Sequence, residues 1–323
     1  LCYSKSLSKP RARKGFSFDF LSLQVLQTMY FNADTLAFVD GEFVKADEAQ
    51  VGAYAQSLHY GYAVFEGIRS YATPAGTRIF KAREHFERFH YSCSAIGLPL
   101  NYSVDELINI SYEVLEKNNL SDAYIRPLAY AATPNMTLKH ATSGNLLVAV
   151  WDWGKYLGDQ SLRLSVSPYQ RPNPKAVPIE AKVSGHYVNS IIASSEAKGR
   201  GFDEALLLDM NGYVAEGPGA NFFFEKDGEL FTAPAGSILR GITRNTIIDL
   251  AREMGIKVTE KFFTVDELQG ATGAFMTGTA AEVVGVASVD ELVFPVPFAE
   301  TLGAQLSERY RALVTGEAVA QQA

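Results

Sequence analysis

The chain has 323 residues, 47% of them hydrophobic and 20% charged, and a net charge of −7; that length and composition suit two packed domains with large interiors. The negative balance argues against nucleic acid as a partner, because neutralising phosphates takes clustered Lys and Arg. Cys2 and Cys93 form no Cys-x-x-Cys, which excludes a disulfide scaffold and fits a reducing compartment such as the cytoplasm, and five histidines without metal-ligand spacing exclude a recognisable metal site.

Residues 1–28 differ from everything that follows: Lys5, Lys9, Arg11, Arg13 and Lys14 stand against a single acid, Asp19, among several serines. This basic N-terminal extension, expected to be disordered, reads as an organelle transit peptide or as sequence outside the domain ahead of Met29. Domain patterning begins only after Met29, which favours the second reading. No apolar run approaches the ~20 residues of a membrane-spanning helix.

Along the rest of the chain, "LAFVDGEFV" predicts a hairpin, with Asp40-Gly41 suited to the positive φ angles of a two-residue turn. "SLHYGYAVFEGIRSY" gathers Tyr60, Tyr62, Phe65 and Tyr71 around glycines, as core or as the wall of an apolar pocket. "EHFERFHYSCSAIG" predicts a helix with Phe86 and Phe89 inward, and "SVDELINISYEVLEKNN" a helix opened by a Ser103–Glu106 capping box and striped by Leu107, Ile110 and Val114. "AYIRPLAY" and "NLLVAV" read as strands, the first interrupted by Arg126. "YAATPNMTLKHATSGN" between them carries no motif and reads as a variable loop near a pocket. "WDWGKYLGDQ" is the expected domain boundary, and "YQRPNPKAVPIE", with three prolines, a stiff extended loop. Hairpins with two-residue turns are again expected at Asn211-Gly212 and Asp227-Gly228. "TRNTIIDLAREMG" predicts a helix from Thr243 to a stop at Gly255, striped by Ile247, Leu250, Ala251 and Met254. Strands grouped with a few helices, rather than regular β-α-β alternation, indicate an α+β class with antiparallel or mixed sheets. The division is a small N-terminal α/β domain at 29–150, an interdomain loop at 151–162 and a large C-terminal domain at 163–323.

Lys182, in "PIEAKVSGHYVNS", has no acid beside it; it is either a solvated loop lysine or an amine able to react, since burial or a cationic neighbour would lower its pKa. A reactive lysine most often serves pyridoxal phosphate, which wants an acid at its pyridine nitrogen, a helix N-terminus and arginine at its phosphate, and a donor at its phenolic oxygen. Glu216, in "NGYVAEGPGANFF", enters a Gly-rich turn where a carboxylate either approaches a ring or faces water. Thr243 opens a helix after Gly241, and "MTGTAAEVVG" leaves amides accessible among small residues. Arg88 either chelates phosphate or snorkels along a solvated face. Arg126, inside an apolar strand, is expected to meet an anion or carboxylate rather than water.

Taken together, "FVDGEFV", "LHYGYAVFEGIRSY", "REHFERFH", "AYIRPL", "AKVSGHYVNS", "DMNGYVAEGPGANFF", "ILRGITRN" and "MTGTAAEV" resemble the branched-chain-amino-acid aminotransferases, class IV pyridoxal-phosphate enzymes, in the family's order from about Leu36 to Val289. The resemblance implies the two-domain D-amino-acid-aminotransferase-like fold (fold type IV) and a ping-pong transamination of L-leucine, L-isoleucine or L-valine with 2-oxoglutarate. It makes Lys182 the catalytic, cofactor-bearing lysine, with Glu216 at the pyridine nitrogen, Tyr187 at the phenolic oxygen, and Arg88, Leu239, Ile242, Thr243 and Thr279 among the cofactor-binding residues. Tyr124 and Arg126, with the Thr279–Ala280 turn, fall where the family handles carboxylates, and Tyr60, Phe65, Trp153 and Tyr156 where it walls the side-chain pocket. It also implies a homodimer with small-molecule amino acids and 2-oxo acids as partners. This sequence departs from the family's frequent Gly at Ser184 and Glu at Ala220. A D-amino-acid transaminase, an (R)-amine transaminase and aminodeoxychorismate lyase share the fold; "EGIRSY", "YIRPL" and "GTAAEV" favour the branched-chain type. A non-catalytic small-molecule binder is the alternative outside enzymes.

Overall fold

The computed structural model of the chain describes residues 30–153 and 160–317. Its first sheet has seven strands, β1 (Leu36–Val39), β2 (Glu42–Lys45), β3 (Ala63–Phe65), β4 (Ile68–Thr73), β5 (Gly76–Ile79), β6 (Ala123–Tyr130) and β7 (Asn145–Trp151), all paired antiparallel. They run in the order β2-β1-β7-β6-β4-β5, with β3 also on β6. Helices α1 (Gln56–Tyr60), α2 (Ala82–Ala95) and α3 (Val104–Lys117) accompany this sheet. Phe86 and Phe89 of α2 and Leu107 and Val114 of α3 are fully buried with Val64, Ile68, Ile125 and Val148 in one apolar core. The Ser103–Glu106 capping box forms as expected. Ile110 is only half-buried, and Ser111 and Leu115 share the inward face with Leu107 and Val114.

The second sheet has nine strands: β8 (Leu162–Val166), β9 (Glu204–Leu208), β10 (Val214–Glu216), β11 (Asn221–Lys226), β12 (Glu229–Thr232), β13 (Val258–Glu260), β14 (Gly273–Gly278), β15 (Glu282–Val289) and β16 (Leu292–Val293). Its pairing is mixed, because β8 lies parallel to both β9 and β15. Six strands close on themselves in the order β10-β9-β8-β15-β14-β11, and the closing contact is the pair Glu216 and Asn221. Closure removes the open edges a sheet this size would otherwise expose. Helices α4 (Tyr187–Gly199), α5 (Ile242–Glu253) and α6 (Leu302–Thr315) complete this half. In β11 the run "NFFFEK" is apolar on both faces for a reason: Phe222 and Phe224 enter one core, while Phe223 stacks on Phe275 at 4.9 Å in a second core with Ile247, Leu306 and Tyr310. Tyr71 and Phe80 of the first sheet join that second core, so α6 is packed between the two sheets.

The hairpins at Asp40-Gly41 and Asp227-Gly228 have two-residue loops with both φ angles positive, as expected. The third differs. Between β9 and β10 the loop is five residues, 209–213, because the Asp209 carboxylate accepts from the amides of Asn211 and Tyr213 and widens the turn. Helix α5 begins at Ile242, one residue before Thr243, with extended Gly241 as its N-cap. The expected loop at 151–162 falls partly outside the described residues. No helix among the described residues is long and apolar enough to cross a membrane.

Candidate active site

Lys182 lies on the seam between the sheets. Val183 bridges to Val64, and the Phe65 amide donates to the Lys182 carbonyl at 3.2 Å, so the segment runs along β3, tightened at Lys182 where the Val183 amide donates to the Ala181 carbonyl at 3.0 Å. Extended backbone alternates its side chains. Ala181 and Val183 therefore enter the first core, and Lys182 turns the other way into a cavity walled chiefly by the second sheet. Its Nζ donates to the Tyr187 hydroxyl at 2.7 Å and sits 4.8 Å from the Phe65 ring centroid. Glu180, two residues back, does not pair with it; that carboxylate accepts from the Gly236 amide at 3.0 Å.

Glu216 stands in the same cavity, buried, at the barrel's closing pair. Residues paired directly across antiparallel strands project to one face, which brings Asn221 Nδ2 to Glu216 Oε2 at 2.9 Å. The Leu239 amide donates to Oε1 at 3.1 Å, and Arg171 Nε makes an ion pair with the same oxygen at 2.9 Å without an aligned hydrogen bond. Burial pushes the Glu216 carboxyl above the ordinary glutamate range; Arg171, the Leu239 amide and Lys182 pull it back without cancelling the effect. A carboxylate has about four lone-pair sites, so one more donor, preferably cationic, is accommodated from the cavity.

The opposite end is built for an anion. Helix α5 opens at Gly241 without a side-chain cap and without an acid in its first turn, leaving its leading amides open to the cavity lined by Gly241, Ile242 and Thr243. A Cβ on Gly241 would lie 2.0 Å from Asn221 Oδ1, so only glycine lets the backbone pass so close. Thr277 Oγ1 is buried in the lining with no protein partner. Arg88 reaches this end from α2, its Nη1 donating to the Arg240 carbonyl at 2.9 Å.

Arg88, Lys182, Tyr187, Glu216, Leu239, Ile242, Thr243 and Thr279, eight residues spread over almost 200 positions, all line this one cavity. Phe65 and Tyr187 meet edge to face at 4.7 Å beside it. Tyr124 is packed against Trp151 and Trp153, with centroids 5.1 and 4.9 Å away. Among the described residues no carboxylate pairs with Arg126. Its guanidinium lies 4.7 Å from the Phe65 centroid and 5.3 Å from that of Tyr124, and donates to the Tyr124 hydroxyl at 3.3 Å. Aromatic faces surround the charge, and Arg126 Nε is buried without a protein partner. Tyr60 is not in the Lys182 cavity; it lines an adjoining cleft with Val183 and Gly185 and donates to the Met136 carbonyl, in the loop that carried no motif. Ala280 lines neighbouring hollows, one of them shared with Tyr187 and Ala220. Tyr156 lies outside the described residues.

The sequence model of the family described as Amino-transferase class IV matches residues 63–289, which contain this cavity. The chain belongs to the class IV aminotransferases. This aminotransferase is 40% identical to the branched-chain-amino-acid aminotransferase of Escherichia coli (strain K12), over 88% of this chain and 94% of that one. The crystal structure of an Escherichia coli branched-chain amino acid aminotransferase superposes with a TM-score of 0.85 at 38% identity, covering 90% of this chain and 98% of that one. The branched-chain amino acid aminotransferase of Thermobaculum terrenum, in its PLP-bound holo form, gives a TM-score of 0.83 at 33% identity, covering 89% and 96%. These likenesses give the aminotransferase the expected α+β fold type IV.

Three residues around the candidate site escaped sequence reasoning: Arg171, Asn221 and Glu66, the last of which holds Arg88 from behind. Glu66 in "VFEGI" and Asn221 in "GANFFF" are lone polar groups in apolar stretches near glycine, whereas Arg171 in "YQRPNPK" stands among other polar residues of a proline-rich loop. That was the available signal; their partners come from other strands and helices.

Proposed function

We propose that this aminotransferase moves the amino group of L-leucine, L-isoleucine or L-valine to 2-oxoglutarate, giving a branched 2-oxo acid and L-glutamate, with pyridoxal 5'-phosphate held in the Lys182–Glu216 cavity. The observation carrying the reading is the pairing of an amine and a buried acid in one cavity whose far end is an uncapped helix N-terminus with an arginine. The residues fit that cofactor. Lys182 would hold its aldehyde carbon, Glu216 its ring nitrogen, and the α5 amides, Arg88 and Thr279 its phosphate. When bound, the cofactor supplies a ring that takes up the electron pair left when the substrate's Cα loses its proton.

The chain's own residues do the rest. Lys182 Nζ is the base that moves that proton, and the Tyr187 hydroxyl at 2.7 Å orients it. Glu216 stays anionic opposite a cationic ring nitrogen because Arg171, Leu239 and Asn221 hold its oxygens. Phe65, Tyr124 and Trp153 form an aromatic wall that suits a branched aliphatic side chain and excludes water. The Arg126 guanidinium, lying over the Phe65 and Tyr124 rings with an unpartnered Nε, meets the second carboxylate of glutamate or 2-oxoglutarate. One pocket thus serves two unlike side chains. A homodimer accords with exposed Tyr54, Leu58 and Leu138 around the Tyr60 cleft and exposed Val188 and Ile191 on α4.

The test is the visible spectrum of purified protein loaded with pyridoxal phosphate. L-leucine should bleach the cofactor band and D-alanine should not. Lys182→Ala should keep the fold and lose multiple turnover. Bleaching by D-alanine, or sustained turnover by Lys182→Ala, overturns the reading.

A further inference from the structure

Arg88 does not reach the cavity as a free side chain. Its Nε donates to Glu66 Oε1 at 2.7 Å and its Nη2 to Glu66 Oε2 at 2.9 Å, a bidentate fork. Glu66 Oε2 also takes His85 Nδ1 at 2.8 Å. Glu66 and His85 are almost wholly buried, and neither lines the cavity. The remaining edge of the guanidinium, Nη1, is turned across to the Arg240 carbonyl, at the residue before the Gly241 cap of α5. One side chain, just past the end of β3, therefore decides which face of Arg88 meets the open helix terminus. Backbone supports the placement: the Glu66 amide donates to the Pro127 carbonyl at 3.0 Å, while the preceding residue, Phe65, faces Tyr187.

We propose that Glu66 is a positioning residue for the cofactor's phosphate, clamping Arg88 so that its remaining N–H groups and the amides of α5 form one anion cradle. The proposal rests on the pyridoxal-phosphate reading above. A guanidinium clamped along its Nε–Nη2 edge keeps its planar fork oriented without a rotamer search at each binding event, and Nη1 has a second hydrogen beyond the one given to Arg240. An ordinary structural ion pair would fasten α2 to the sheet and leave phosphate recognition untouched. The two roles are separable, because pyridoxal without its phosphate occupies the Lys182–Glu216 end and never meets Arg88.

Apoenzyme, wild type and Glu66→Gln, is titrated at pH 7 with pyridoxal 5'-phosphate and with pyridoxal, reading Kd from absorbance. Loss of the partner that orients a metal-binding side chain typically weakens the metal by about 10- to 100-fold, and the same order is taken for a phosphate held by an oriented arginine. The expected result is a Kd for pyridoxal phosphate raised about 10-fold or more, with the Kd for pyridoxal changed less than about 2-fold. Glu66→Asp keeps the charge and retracts the carboxylate by one methylene; it should also lower the preference for the phosphate ester, and it replaces Glu66→Gln should that variant not fold. Equal loss for both ligands, or an unchanged ratio in the folded variants, overturns the proposal. Failure of the wild type to bind either ligand overturns the cofactor reading instead.

Discussion

Glu216→Gln removes one charge and almost no volume from the most closely supported carboxylate in the cavity. The replacement amide has one acceptor where the carboxylate had two. With its NH2 at the Oε2 position it faces Asn221 Nδ2, which cannot flip freely because it also donates to the Leu239 carbonyl at 3.0 Å. With its NH2 at the Oε1 position it faces the Leu239 amide and the Arg171 guanidinium. Either orientation leaves a buried donor unpaired, at about 1–3 kcal/mol. Either also strands Arg171, whose side chain is 9% exposed, for which breaking a buried pair costs about 3–5 kcal/mol. The retained acceptor puts the sum near the lower end, about 3 kcal/mol, or a melting temperature lower by roughly 4–5 °C for a chain of this length. Catalysis should suffer more than folding, since removing a preorganised electrostatic partner costs about 10²–10³ in kcat. Melting curves and steady-state rates with L-leucine and 2-oxoglutarate read both effects, with the cofactor band checked first. A variant that holds the cofactor and turns over within about tenfold of wild type would mean that Glu216 is only a turn acid.

Two further outcomes follow from the same packing. A Cβ on Gly67 would lie 1.9 Å from the Tyr124 hydroxyl oxygen, and Tyr124 is wedged against Trp151 and Trp153, so Gly67→Ala should destabilise by about 1–3 kcal/mol. Adding Tyr124→Phe should recover part of that loss in melting temperature; a neutral single variant contradicts the packing argument. For Glu66, burial alone would raise the carboxyl, but the Arg88 guanidinium and then His85 outweigh it and hold it well below the usual carboxylate range. The unfolded chain then binds the extra proton, so stability rises with pH: the contribution is complete above the ordinary glutamate value of about 4.3 and fades as pH falls towards the depressed one. Denaturant midpoints between pH 7 and pH 3 should fall more steeply for wild type than for Glu66→Gln, and parallel slopes would contradict the linkage.

Hairpin turns, the Ser103 cap and the helix stripes are legible in the sequence because neighbours within a few residues encode them, through short-range sterics and hydrogen bonding. The Asn211-Gly212 loop departs from a two-residue turn for a reason of the same scale: the Asp209 side chain, two residues back, competes for the turn amides.

The list of candidate groups, from Lys182 to Thr279, also came from the sequence, through eight motif stretches that together resemble one family, since each residue alone left a second reading open. What joins them did not. Glu216 meets Asn221 because a barrel closes there, Arg171 arrives from a proline-rich loop, and Glu66 and Arg88 pair across 22 positions. Arg126 is framed by the rings of Phe65, Tyr124 and Trp151, drawn from three different strands. Those partners are chosen by long-range packing, in which burying apolar faces sets the positions and polar groups must then find whatever donor or acceptor has been brought within reach.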